Sequence, residues 1–437
     1  MSRSWLSSIE KLRDHPVFFS LRYGVMWSLL PVVLTMVPLY FFFGTEKDWG
    51  LRVMNVYLAS LGMMGPACAL LIGQYLSRAY RIKSFAGWVA LAVYLCLLPF
   101  LPHHLSQVVA LLQDTFVSGS FVGFFLALFL GGGIIALKIR FPRLSWGAEG
   151  FGLLVGFFMI AAVRWYHFDL HRAIRTFIGA HISTADSLYA GIMIVLLTNL
   201  LWFFGLQGSA IIGSFTAGVY AQLIYDNMQA AQLGHPLPHI VTLAFFNYVF
   251  IGGAGTTILL PFFMLRSKSK RIRILAKVSL FPCFFNVNET LIYFLPLVAN
   301  LELAIPFFLG PLFTVISTYY AIKLGLMPNF SYFIPGVYYL PSPLLGIVAT
   351  TPGFFFPKSL LGIKRLIDLV AASGSWKSGI AALVQIAILG LLYYPFYKAF
   401  ERHVIEQEKE SEEKERVEKD LNFNLLDSRW SEETQPS

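Results

Sequence analysis

Charge is what this chain has least of. Of its 437 residues, 13% are Asp, Glu, Lys or Arg, against about 25% in an ordinary soluble domain. Cysteine is nearly absent too. Cys68, Cys96 and Cys283 each lie in an apolar run, without metal-ligand spacing or an oxidising context. That excludes a disulfide framework and a zinc site, and the three are expected to be plain buried residues. No cofactor or metal site is expected. A soluble catalytic domain is also missing. The one long polar stretch, residues 401–437, is far too short to be one.

What is present is apolar sequence. Residues 23–44, 53–77, 84–112, 118–137 and 150–163 carry no charge, and neither do 187–225, 240–265, 278–288, 303–322 and 379–397. A helix needs about 20 apolar residues to cross the hydrocarbon core. The chain therefore reads as an all-α integral membrane protein with about ten transmembrane helices. Some segments are too short, or too broken by Pro and Gly, to be simple spans, and these are expected to be re-entrant hairpins. The first apolar run is too long for a signal peptide and lacks a small-residue cleavage site.

The net charge of +9 does not point to nucleic acid. Its positives sit in short loops: Arg78, Arg81 and Lys83; Lys138, Arg140 and Arg143; Arg266, Lys268, Lys270, Arg271 and Arg273. The stretches 101–117 and 225–239 have no Lys or Arg. The positive-inside rule then places both termini and the basic loops in the cytoplasm. Four regions are expected. Residues 1–163 form a scaffold of simple helices. Residues 164–186 form an interfacial amphipathic linker. Residues 187–400 carry the Gly clusters, repeated Pro and buried polar groups of a substrate domain. Residues 401–437 are a charged tail, either a solvated helix or disordered.

The polar groups of 187–400 cluster at four places. The first is FPCFFNVNETLIYFLPLVAN, 281–300, where Pro282 and Pro296 bracket Asn286, Asn288 and Glu289. A carboxylate at the membrane centre costs about 2.5–3.5 kcal/mol on insertion scales. Irregular backbone at that depth is tolerated only against protein or a cavity. Amide donors, carbonyl acceptors and an anionic acceptor suit a polyhydroxylated ligand. They also suit, though less well, a structural network between helices. Asn288-Glu289-Thr290 matches a glycosylation sequon, which a buried site makes meaningless.

The second is the glycine group Gly252, Gly253 and Gly255, followed by Thr256 and Thr257. It permits either a turn inside the membrane or a close helix contact. The third holds Asn199, Trp202, Gln207 and Ser209. Trp202 suits either a sugar-stacking surface or an interface belt. The fourth is Thr350 and Thr351 before Pro352, hydroxyls at a break or a capped helix end. Tyr393, Tyr394 and Phe396 read as an aromatic belt.

The order of these motifs (GLQG, IGGAG, FNVNE, LPLVAN, TTP, YYPF) resembles the membrane component, enzyme IIC, of the phosphoenolpyruvate-dependent sugar phosphotransferase system. The branch it most resembles is the lactose/cellobiose/diacetylchitobiose type. Phe285-Asn286-Val287-Asn288-Glu289 matches the family hallmark up to Thr290, where the family has Pro. The resemblance implies a permease for a cellobiose- or chitobiose-like disaccharide in the bacterial inner membrane, working as a homodimer. It implies phosphorylation of the sugar by a separate IIB protein docking on the cytoplasmic side, with the basic loop 266–273 as the docking candidate. Glu289 would contact the sugar beside the reacting hydroxyl and act as general base. Asn286, Asn288, Gly253, Gly255, Thr351 and Gln207 would complete the site. Gln207 stands where the family has His, and an amide cannot exchange a proton near neutral pH. A degenerate enzyme IIC that senses sugar without phosphorylating it is the alternative.

Overall fold

Helices of this chain turn large apolar side chains outward, which sets it apart from a soluble bundle. The structure, a computed structural model, describes residues 15–28, 49–98, 118–180, 182–295, 300–333, 340–354 and 360–433, with Gln107, Leu111 and Thr115. The spans expected over 23–44 and 84–112 lie partly outside these residues, as does Pro296.

Among the described residues all regular structure is helical. The first half runs α1 (Pro16–Ser28), α2 (Trp49–Gly62), α3 (Met64–Ala79), α4 (Ala86–Cys96), α5 (Gly119–Leu126), α6 (Gly132–Arg140) and α7 (Ser145–Trp165). A π-helical turn, Ala127–Gly131, joins α5 to α6. Two short helices follow, α8 (Leu170–Ala180) and α9 (Ile182–Ala185). The second half runs α10 (Leu188–Phe203), α11 (Gly208–Gln232), α12 (Leu243–Val249), α13 (Leu260–Leu265), α14 (Lys270–Phe284) and α15 (Glu289–Phe294). It ends with α16 (Leu301–Lys323), α17 (Ser342–Thr350), α18 (Leu360–Ser373) and α19 (Trp376–Glu433).

Six stretches among the described residues are long and apolar enough to cross a membrane, and α4 and α10 are shorter apolar helices. The expected all-α, multi-span architecture is thus present. On α7, Phe151, Leu154, Phe157 and Phe158 are exposed between Trp146 and Trp165, which are exposed at its two ends. The rise of a helix separates those tryptophans by about 28 Å, close to the thickness of the hydrocarbon core. An apolar face ending in two tryptophans is the pattern of a lipid-facing span. On α19, Ile380, Leu383, Val384, Ile388 and Leu391 also face outward. Cys96 is exposed at the end of α4, which corrects the expectation that all three cysteines are buried.

The linker expected over 164–186 contains the end of α7, then α8 and α9. Its His171 is buried, with Nδ1 2.8 Å from Ser118 Oγ. Leu170 and Ile174 join the core around Leu97, Leu111 and Leu126. The two halves of the chain share a second core, in which Met54, Leu58 and Met64 pack with Tyr220, Ile224 and Phe245. α11 is the seam between them. Small residues let first-half helices approach closely: a Cβ on Gly123 would run into the backbone of Gly65.

One stretch the length of a span, Leu243–Leu265, is not a continuous helix. α12 stops at Val249, the chain turns through Gly252, Gly253 and Gly255, and α13 starts at Leu260. Of the two readings the glycines permitted, the structure shows the turn. The tail takes its helical form: α19 continues without interruption from the apolar stretch at Trp376 to Glu433.

Candidate functional site: two broken segments packed turn to turn

The glycine turn 250–259 and the turn 285–288 meet inside the second half. Each exposes backbone groups that a helix would have satisfied, and each supplies what the other lacks. Gly252 donates its N–H to Asn286 Oδ1 at 2.7 Å. Asn286 Nδ2 donates to Leu340 O at 2.8 Å, ahead of α17. Asn288 Nδ2 donates to Ala254 O at 2.6 Å and to Thr257 Oγ1 at 2.8 Å. Thr257 Oγ1 donates in turn to Gly252 O at 3.0 Å. Both asparagines are buried. Backbone polar groups stranded at membrane depth need partners, and these carboxamides provide them. Asn286 holds the left-handed conformation at φ 61°, where Asn is one of the better-tolerated non-glycine residues.

All three glycines are required by geometry: Gly252 has φ 74°, and a Cβ on it would run into the Ile258 backbone. Gly253 has φ 88° and Gly255 has φ 75°. A Cβ on Gly253 would overlap the Asn288 carboxamide, and one on Gly255 would overlap the Phe307 ring of α16.

Two residues outside the expected site complete the turn. Asn199 of α10 is fully buried. Its Oδ1 accepts the Gly255 N–H at 2.7 Å, and its Nδ2 donates to Val195 O at 2.7 Å. Tyr393 of α19 is buried and donates its hydroxyl to Gly255 O. It is therefore not part of an aromatic belt, although Tyr394 is exposed. Asn199 was legible as a buried polar residue in an apolar run, but Tyr393 carried no such signal. Trp202 is neither a belt residue nor a stacking surface. It lies in the core beside Phe203 and Leu260, and its Nε1 donates to Ser209 Oγ at 2.9 Å.

Asn199→Ala leaves the buried Gly255 N–H without its acceptor. Such a loss costs about 1–3 kcal/mol, so a lower melting temperature in detergent is expected. An unchanged melt would show that Gly255 finds another partner.

Gln207 stands at the start of α11, two residues after Gly205, whose φ is 75°. Next to it, Gly208 lies so close to α10 that a Cβ would overlap Thr198 O. This puts the GLQG turn against the residue preceding Asn199. Thr351 is set apart from this group. It lies at the far end of α17 from Ser342, and its hydroxyl donates to Ile347 O at 2.6 Å.

Glu289 differs from its neighbours. It opens α15 directly after Asn288, and its Oε2 is buried with no hydrogen-bond partner among the described residues. The adjacent Thr290 Oγ1 is buried and likewise has no partner among them. The asparagines are occupied in holding the two turns together, so the unspent polar capacity lies on the carboxylate and the hydroxyl beside it.

A family model described as Phosphotransferase system, EIIC, matches residues 20–311. The chain belongs to the phosphotransferase system EIIC family. This EIIC chain is 28% identical over 381 residues to the PTS system oligo-beta-mannoside-specific EIIC component of Bacillus subtilis (strain 168), covering 80% of each chain. It is 32% identical over 214 residues to the PTS system lactose-specific EIICB component of Staphylococcus haemolyticus (strain JCSC1435), spanning 48% of this chain and 33% of that one. Its fold matches the crystal structure of the transporter ChbC, the IIC component from the N,N'-diacetylchitobiose-specific phosphotransferase system. That match has a TM-score of 0.60 at 20% identity and covers 92% of this EIIC chain and 98% of the other. The EIIC chain is thus a multi-pass membrane protein and a sugar permease of the lactose/cellobiose type.

Proposed function

We propose that this EIIC chain carries a β-linked disaccharide, cellobiose- or chitobiose-like, across the membrane and presents it to a separate IIB protein for phosphorylation. The observation that carries this reading is Glu289 Oε2, a buried acceptor without a partner among the described residues where the two broken segments meet. A sugar hydroxyl donating to it offsets the cost of burying the carboxylate. Glu289 takes the role of general base for the hydroxyl that receives the phosphoryl group. Asn286, Asn288, Gly253 and Gly255 shape the turn that aims it, and Gln207 faces the same ligand from the start of α11. Thr351 belongs to the far wall of the site in this reading.

The termini and basic loops lie in the cytoplasm, in keeping with the positive-inside distribution. Residues 1–163 form the scaffold through which two copies pair, and 187–400 carry the sugar. IIB docks at loop 266–273, where Arg266, Lys268, Lys270 and Arg271 are exposed and suit an anionic phosphodonor. Arg273 is engaged within the loop, donating to Ser267 O at 2.6 Å.

Gln207 supports a second reading, a sugar sensor that binds without phosphoryl transfer, because an amide cannot relay a proton. Calorimetry of the detergent-solubilised protein over cellobiose, chitobiose, lactose and gentiobiose tests binding. Sugar phosphate formation with a phosphorylated IIB then separates the readings. Binding with turnover supports the permease, binding without turnover supports the sensor, and no binding across the panel overturns the disaccharide assignment.

A further inference from the structure

The charged tail plays no part in the site described so far, yet it is bonded to the helices that carry the site. Ser269 caps α14, accepting the Ile272 N–H at 3.1 Å. The same hydroxyl donates to Glu408 Oε1 of α19 at 2.6 Å. Ser269 is buried and Glu408 half-buried. One turn earlier on α19, His403 Nδ1 lies 2.6 Å from Glu302 Oε1 in the first turn of α16.

These ties close a frame. One leg is α14, running from Ser269 to the turn that carries Asn286, Asn288 and Glu289. The opposite leg is α19 from Tyr393 to Glu408. Each covers about 22 Å at helical rise. At the membrane end the legs are joined through the glycine turn: Tyr393 donates to Gly255 O, and Asn288 donates to Ala254 O at 2.6 Å. At the tail end they are joined by Glu408 and Ser269. α16 stands beside them, tied to the tail at Glu302 and packed at Phe307 against Gly255.

We propose that Glu408, supported by His403, is a positioning residue for the sugar site, closing a frame that holds the Glu289 turn against the glycine turn. The proposal rests on the sugar-site reading above. The His403–Glu302 pair is largely exposed, and such pairs contribute little. The half-buried carboxylate on a buried cap hydroxyl is the stronger tie. The tail thereby links the surface next to loop 266–273 to the sugar site, so a partner binding there acts on the site through α14.

The test is hydrogen exchange on the full-length protein, which requires no knowledge of the sugar. In Glu408→Ala, peptides covering 250–258 and 285–294 are expected to exchange about fivefold faster, the effect of one ordinary hydrogen bond. Peptides from α3 keep their wild-type rates. Glu408→Gln, which retains an acceptor for Ser269, restores protection of both turns. Calorimetry with cellobiose on the same variants adds a functional readout, with weaker binding in Glu408→Ala and recovery in Glu408→Gln. Faster exchange confined to 266–273 and the tail overturns the proposal, as does uniform acceleration that includes α3. Failure of the wild type to bind cellobiose counts against the disaccharide reading, while the exchange result still decides the frame.

Discussion

Glu289→Gln is expected to abolish phosphoryl transfer while leaving the protein folded. The substitution keeps the shape and removes the charge. Wild-type Oε2 has no hydrogen-bond partner among the described residues for the substitution to remove. Removing an uncompensated buried charge instead relieves a cost of several kcal/mol. The melting temperature should therefore stay level or rise. The chemistry should respond in the opposite direction. A carboxamide cannot accept the proton of the attacking hydroxyl, and loss of general base catalysis costs about 10²–10⁴ in rate. Binding should weaken by about tenfold to a hundredfold, as for a lost hydrogen bond to a charged acceptor. Turnover with IIB, calorimetry and a thermal melt on one preparation check all three. Wild-type turnover in the variant would remove Glu289 from the mechanism.

Gly253→Ala is expected to destabilise the second half strongly. Two costs coincide there. At φ 88° and ψ −164° the backbone is in a region that only glycine occupies readily, and strain of that kind costs about 1–3 kcal/mol. The new Cβ would also overlap the Asn288 carboxamide. Moving that group breaks its bonds to Ala254 O and Thr257 Oγ1, stranding buried acceptors at about 1–3 kcal/mol each. Gly234→Ala is the matched control. It shares a positive φ, 70°, but a Cβ there meets nothing within 4 Å. Thermal unfolding in detergent should show a drop of several degrees for Gly253→Ala, clearly exceeding that of Gly234→Ala. Equal drops would mean that backbone strain alone matters and that the asparagine brace contributes nothing.

Much of this was legible in local sequence, for definite reasons. A membrane leaves a charge little choice, so apolar runs and basic loops report spans directly. Irregular backbone in a bilayer must be supported by protein, so three glycines and an Asn-x-Asn-Glu run amid apolar residues announce broken segments before any partner is known. The order of the motifs pointed to the family.

What those polar groups do was decided by tertiary structure. Residue chemistry alone allowed Asn286 and Asn288 to be ligand contacts or braces. Their bonds to Gly252, Leu340, Ala254 and Thr257 show what their carboxamides hold in place. Tyr393 read as a belt residue because its neighbours are aromatic and the tail is near. Its partner, the Gly255 carbonyl, lies 138 residues earlier in the chain. The tail read as solvated because its composition is charged. Glu408 nevertheless meets Ser269, 139 residues away. A periodic pattern reports which face of a helix avoids water or lipid. Which buried hydrogen-bonding group meets which depends on helix packing, and packing brings together residues that no local window contains.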